Sequence, residues 1–318
     1  MVYILELKTT QASAIKTVID AINSLLPDAN FDFYPYYIED DDNSVDSSDE
    51  ISEKYESDSA DDSSDEEKEM DVKAKSNKTL APPAEKKKNI GGVVLKEVNK
   101  TGKILVYMRL DADKFDVYKY NYHNKKLTLG IDIGNLLKSL KCMGHFDTMT
   151  WLVDDEDMDK LIVILESAER KEKKTFKLNL MDIEEETYEI EPIEFPYLIT
   201  LPSNDFHKYC KDMAASTDKI DIKATSNKLF FSGKGEIGVI DFEVGETNGG
   251  LSIVSTTTNT NEIVQGLFEL KFLLIFTKCT NLGNHVTLFL KNDYPIIVAY
   301  QIAALGEIKL VLSQSKSD

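Results

Sequence analysis

Cysteine is scarce. Cys142, Cys210 and Cys279 are the only three, an odd number with no CxxC spacing, which argues against a disulfide framework and a zinc site and fits a reducing compartment. The four histidines, His123, His145, His207 and His285, are scattered. No run approaches the roughly 20 apolar residues that span a bilayer. The N-terminal MVYILEL alternates and leads into a polar, lysine-bearing helix, unlike the apolar core of a signal peptide. GxxxxGK[ST], HExxH and GxSxG are missing too. Carboxylates are abundant, but abundance without a site does not argue for catalysis. The expectation is a soluble, intracellular protein that is not an enzyme, with no cofactor, no metal and no membrane partner.

What is present suffices for two domains, since the chain has 318 residues of which 42% are hydrophobic. The net charge of -19 is unevenly spread. Between Glu39 and Asp71 there are 17 acidic residues against Lys54 and Lys68, a local balance of -15 that leaves -4 for everything else. From Ile38 to about Asn89 the periodicity dissolves into Ser, Asp and Glu followed by KAKSNKTLAPPAEKKKN. Low hydrophobicity with high charge cannot offset the entropy of ordering, so residues 38–90 read as a disordered acidic insertion. Within it, Ser47, Ser63 and Ser64 have the SxxE spacing of acidic-directed kinase sites, or are merely part of a polar tract.

Outside the insertion, strands and helices alternate. Val2 to Leu7 and Asn30 to Tyr37 have strand periodicity, while Ile15, Val18, Ile19, Ile22, Leu25 and Leu26 recur at helical spacing until Pro27. Strands follow at 92–98, 103–109, 115–122 and 127–131, then a helix at 135–143 stopped by Gly144, then strands at 148–153 and 160–167. The charged KEKKTFKLNL leads into an acidic linker, 180–196, in which Ile183, Tyr188, Ile190, Ile193 and Phe195 are apolar teeth and Pro192 and Pro196 disfavour helix. Ser203 then caps a helix with Phe206, Cys210 and Met213 inward. Strands are expected at 219–224, 228–233, 238–244 and 251–255, a helix at about 268–280, and strands at 286–290, 296–302 and 307–312.

The second half repeats the first. Lys141-Cys142 matches Lys278-Cys279 at an offset of 137, and Asp28 in DANFDF matches Asp218 in DKIDI at 190. The difference, 53, is the length of Ile38 to Ile90, so the acidic segment reads as inserted into one copy of a duplicated domain.

The motifs LKSLKCMG (137–144), LNLMDIEE (178–185), LPSNDFHKYCKDM (201–213), IFTKCTNLGNHVTL (275–288) and YPIIVAYQIAALGEIKLVL (294–312) occur in order. On them the chain resembles the proliferating cell nuclear antigen (PCNA) family of eukaryotic-type DNA sliding clamps, over nearly all of its length outside the insertion. The divergence of the rest fits a clamp from a large DNA virus. The resemblance implies an α+β DNA clamp fold. Two similar domains of curved antiparallel sheets, 1–179 and 197–318, would each carry two inner helices and be joined by the extended linker. It implies a homotrimeric ring around duplex DNA that tethers DNA polymerase, clamp loader and other clients at sites of replication, by electrostatic attraction to phosphate without sequence readout.

Matched to the family's motifs, the DNA-facing positions are Lys16, Lys138, Lys141, Lys208, Lys211, Lys271 and Lys278; singly, each is equally a solvated helix face. Thr17 and Asn23 stand where the family usually has lysine, and Ser226 where it has a modified lysine, with Lys223 and Lys228 nearby. The groove for client peptides corresponds to Val98, Ile104, Val106, Tyr188, Ile190, Pro295 and Val311, with Ser313 and Gln314 at the tail edge; Val98, Ile104 and Val106 are alternatively ordinary strand core. The subunit interface corresponds to two edge segments, Leu161, Ile162, Val163, Ile164, Leu165 and Glu166, facing Leu229, Phe230, Phe231, Ser232 and Gly233 of a neighbour. A monomeric clamp-like subunit is the alternative state. The alternative function is an acidic histone- or protein-binding chaperone in which the Asp/Glu/Ser tract mimics DNA phosphate.

Overall fold

The computed structural model describes residues 2–36, 91–144, 148–185, 193–236, 238–256 and 262–315. The acidic insertion, Tyr188 and Ile190 lie outside the described residues. In the first half the order is β1 (Tyr3–Thr9), α1 (Ala12–Asn23), β2 (Asp28–Tyr34), β3 (Gly92–Val98), β4 (Ile104–Asp111), β5 (Val117–Tyr120), β6 (Leu127–Asp132), α2 (Ile133–Lys141), β7 (Thr148–Asp154), β8 (Asp157–Ser167) and β9 (Glu172–Asn179). The second half runs β10 (Tyr197–Pro202), α3 (Ser203–Ala214), β11 (Lys219–Ala224), β12 (Lys228–Gly235), β13 (Gly238–Gly245), β14 (Ser252–Ser255), β15 (Val264–Glu269), α4 (Leu270–Phe276), β16 (His285–Leu290), β17 (Ile296–Ile302) and β18 (Gly306–Leu312).

Element by element the halves match. α1 and α3 start 191 residues apart (203 − 12), and β6 and β15 start 137 apart (264 − 127). The step between these offsets is 54, one more than the short sequence matches suggest.

Each half contributes a five-stranded and a four-stranded antiparallel sheet. The first half's five strands run β5-β1-β7-β8-β9, and the second half's four run β13-β12-β11-β15. The remaining two sheets fuse into nine strands, β14-β10-β16-β17-β18-β4-β3-β2-β6. The seam is the antiparallel pair β18–β4, in register from Gly306↔Leu110 to Leu312↔Ile104.

One face of these sheets is core. In β4 the even positions Ile104, Val106, Met108 and Leu110 are buried together with the inward residues of the helices, such as Ile15, Ile19, Leu136, Leu140, Phe206 and Leu273. α2 forms because Ile133, Leu136, Leu137 and Leu140 make one apolar stripe and Asp132 caps it, its side chain accepting the Asn135 amide at 2.7 Å. Cys210 and Cys279 are buried free thiols and Cys142 an exposed one. Burial pushes the Cys279 thiol up to about 12, against the pull of Lys278.

Sequence periodicity missed two strands, β9 and β15. In β9, Phe176 and Leu178 alternate with Lys177 and Asn179, but the lysines obscured the pattern. In β15 the alternation of Val264, Gly266 and Phe268 places Phe268 on a strand, and the helix starts at Leu270 and ends in a 3₁₀ turn, Thr277–Leu282.

Candidate nucleic-acid interface, partner groove and subunit edges

The helices make one layer. α1 packs on α2 and on the 3₁₀ turn that follows α4, and α3 packs on α4 and the same turn. All seven lysines expected to face nucleic acid lie on these elements. Lys138, Lys141, Lys208, Lys211, Lys271 and Lys278 are exposed and Lys16 is half-buried. Together the helices and the turn hold seven lysines against Asp20, Asp205 and Asp212, a balance of +4 in a chain of -19. Among the described residues, three of the lysines are engaged within the chain, Lys138 donating to Asn135 Oδ1 at 3.0 Å. Lys271 lies 2.6 Å from Glu269, and Lys278 donates to Ser24 Oγ at 2.7 Å and lies 3.6 Å from Asp20.

The opposite face of the nine-stranded sheet carries an apolar row. Following the cross-strand register, Val98 neighbours Leu105, Leu105 neighbours Val311, Val311 neighbours Ile297, and Ile297 neighbours Phe289. All are half-buried, as is Pro295 beside them. Ile104 and Val106 do not belong to this groove: both are fully buried in the core. Strand alternation decides this, because Val98 and Val311 share their face with Leu105, and a shift of one residue crosses the sheet. Leu105 and Ile297 stand in this row although motif matching did not pick them; the alternation of β4 was the signal available for Leu105. Ser313 is exposed, and Gln314 donates to the Tyr294 carbonyl at 2.9 Å.

The linker is fixed at both described ends. At one end Met181 N–H donates to the Gly130 carbonyl at 2.9 Å. Lys126 donates to both Glu185 oxygens at 2.9 Å and so, with Thr128, holds that carboxyl below its ordinary range. At the other end Phe195 packs edge-on against Phe289, ring centroids 5.6 Å apart, and Thr256 N–H donates to the Pro196 carbonyl at 2.9 Å.

The two segments expected as subunit edges are interior strands. Leu161, Ile162, Val163, Ile164, Leu165 and Glu166 belong to β8, which has β7 on one side and β9 on the other. Leu229, Phe230, Phe231, Ser232 and Gly233 belong to β12, flanked by β11 and β13. With both hydrogen-bonding sides filled, neither can add a strand. The positions next outward, β9 and β13, end their sheets. These two are eight residues long with the same alternation, Phe176 and Leu178 half-buried in one, Ile240, Phe242 and Val244 in the other.

Duplicated halves, each a five- and a four-stranded antiparallel sheet under two helices, joined edge to edge through β18–β4, define a DNA clamp fold. The family model for the N-terminal domain of proliferating cell nuclear antigen matches residues 75–188, and that for its C-terminal domain matches 189–315. The two stand in order and together span most of the chain, which therefore belongs to the PCNA family of sliding clamps, a family of non-catalytic processivity factors. Among curated proteins it is similar to a protein of Acanthamoeba polyphaga mimivirus named a probable DNA polymerase sliding clamp, with 26% identity over 312 residues. That match covers 98% of this chain but 62% of the relative, so the chain spans under two thirds of the relative's length.

Proposed function

We propose that this chain is a DNA polymerase processivity factor, without catalytic activity of its own, that closes into a homotrimeric ring around duplex DNA and tethers polymerase, clamp loader and other clients. The observation that carries the reading is the β18–β4 seam. In the duplicated architecture β9 is the counterpart of β18, and β13 the counterpart of β4. Among the sheet ends, β9 and β13 are thus the counterparts of the two strands that pair once within the chain, and repeating that pairing between copies makes a head-to-tail assembly that closes into a ring when the rotation per subunit allows it.

The seam also supplies a register. Counting through matched pairs, Phe176 corresponds to Leu310 and Phe242 to Met108. Transferring the β18–β4 pairing then sets Phe176 opposite Ile240 and Lys173 opposite Glu243. Within the chain the corresponding pair is Glu307 opposite Arg109, of reversed polarity. Opposite charges facing each other favour the pairing, and the reversal disfavours exchange between the two kinds of seam.

In this ring the helix layer lines the channel, where Lys16, Lys138, Lys141, Lys208, Lys211, Lys271 and Lys278 attract phosphate without reading bases. The row Val98, Leu105, Val311 and Ile297, with Pro295, receives client peptides beneath the linker, to which Tyr188 and Ile190 belong. Burying an aromatic anchor contributes roughly 1.5–3 kcal/mol, so a few anchors reach micromolar affinity. The family models and the viral relative lend the chaperone alternative no support. The test is retention on DNA: protein loaded onto nicked circular DNA should stay bound and be lost when the circle is cut. Binding that is indifferent to cutting, or a solution mass of one subunit at all micromolar concentrations, would refute the ring.

A further inference from the structure

The linker leaves the first half over the edge strand β6, and three alternate positions there grip it. Gly130, directly opposite Asn30 in the β6–β2 pair, has no side chain, and a Cβ at this position would lie 2.1 Å from the Met181 carbonyl oxygen. The gap admits the linker backbone: Met181 pairs with Gly130, and Asn30 Nδ2 reaches the Ile183 carbonyl at 3.2 Å. Two residues back, Thr128 Oγ1 lies 2.7 Å from Asp32 and 3.0 Å from Glu185. Two further, Lys126 bonds Glu185 and lies 3.5 Å from Asp32. These contacts stand on the sheet face that carries Val98, Leu105, Val311 and Ile297, and at the far side of that row Phe195 is packed on Phe289.

From β6 to β16 there are six strand spacings, about 29 Å at ~4.8 Å each. The ten residue steps from Glu185 to Phe195 reach at most about 36 Å. Holding Glu185 therefore leaves ten residue steps of tether for that span, whereas release back to Asn179 would lengthen the tether by six residues.

We infer that Lys126, Thr128, Gly130 and Asn30 form a clasp that positions the linker over the client groove, so that they set client affinity without touching the client. This rests on the groove reading above. Holding Met181, Ile183 and Glu185 in place before a client arrives reduces the ordering cost of binding, which is the source of the expected gain.

The test compares the full chain with Lys126→Glu and with Gly130→Ala. Amide exchange at Met181 reports the clasp, polarisation with a labelled ten-residue peptide bearing one aliphatic and two adjacent aromatic anchors reports the groove, and light scattering reports assembly. Both variants should speed Met181 exchange by about tenfold. They should weaken peptide binding about fivefold while leaving assembly mass unchanged. Faster exchange with unchanged peptide affinity would overturn the positioning role, and unchanged exchange in Lys126→Glu, a surface change that leaves packing intact, would overturn the clasp. Failure of the unmodified protein to bind the peptide would reject the groove and the positioning role together, whereas exchange would still decide the clasp.

Discussion

Lys278 donates to Ser24 across 254 residues of chain, and Asp20 on the same face of α1 lies 3.6 Å from its ammonium. The contact ties the helices of the two halves together, but it also sets an acid beside a cation proposed to meet phosphate. Asp20→Asn should therefore strengthen DNA association and steepen its salt dependence. The quadruple change of Lys141, Lys208, Lys211 and Lys278 to alanine should do the opposite, each lost phosphate contact removing about 0.9 from the slope of log K against log salt. Titrations at several salt concentrations measure both, and slopes unchanged in either variant would place these residues away from nucleic acid.

The seam register makes a charge-reversal prediction. Lys173→Glu alone should shift the assembly toward monomer, because Glu243 would then face a second acid; Glu243→Lys should do the same. The double reversal should recover assembly. Each exposed pair contributes about 1 kcal/mol or less, so the shift will be seen near the dissociation midpoint and at low salt. Lys173 already lies 3.3 Å from Glu166, and Glu243 bonds Lys228 at 2.5 Å, which further limits the effect. Sedimentation over a concentration series decides it, and a double variant no better than the singles would reject this register.

Ile104 and Leu105 are neighbours with opposed consequences. Ile104→Ala empties a fully buried site and should cost about 2–5 kcal/mol of stability, read as a lowered urea midpoint. Leu105→Ala removes a half-buried side chain from the row proposed to receive clients, and should leave most of the stability intact while weakening client-peptide binding. Equal loss of stability in both would show that the groove is part of the core.

The insertion should be dispensable for folding. Its flanking strands are locked together, Tyr34 opposite Gly92, with the Tyr118 hydroxyl within reach of both of their carbonyls at 2.8 and 3.0 Å. Gly92, at φ +119 and with its Cβ position 2.0 Å from the Leu110 carbonyl oxygen, could not be another residue without moving β4. Closing a loop costs only about 0.6 kcal/mol per doubling of its length. Replacing residues 38–89 by a short Gly-Ser turn should preserve thermal midpoint and assembly; a deletion variant that is unfolded or monomeric would refute an inserted role.

Much was legible before any coordinates. Periodicity located the four helices and most strands, because burial on one side imposes period 3.6 or 2 on each segment separately, and the charge of the lysines in the helices is likewise a local property. The duplication and the family motifs followed from order alone. Which strand ends a sheet is not local. The apolar LIVIL of β8 reads as an edge worth hiding, yet it is hidden already by β9, whose lysines made it look like a linker. Which of Ile104 and Leu105 faces the groove depends on the side from which α1 to α4 cover the sheet. The grip of Gly130 on Met181 joins residues 51 apart through the absence of a side chain, which no composition or spacing reports. These were decided by tertiary structure, since hydrogen-bonding partners and solvent-facing sides are properties of pairs of elements rather than of any one segment.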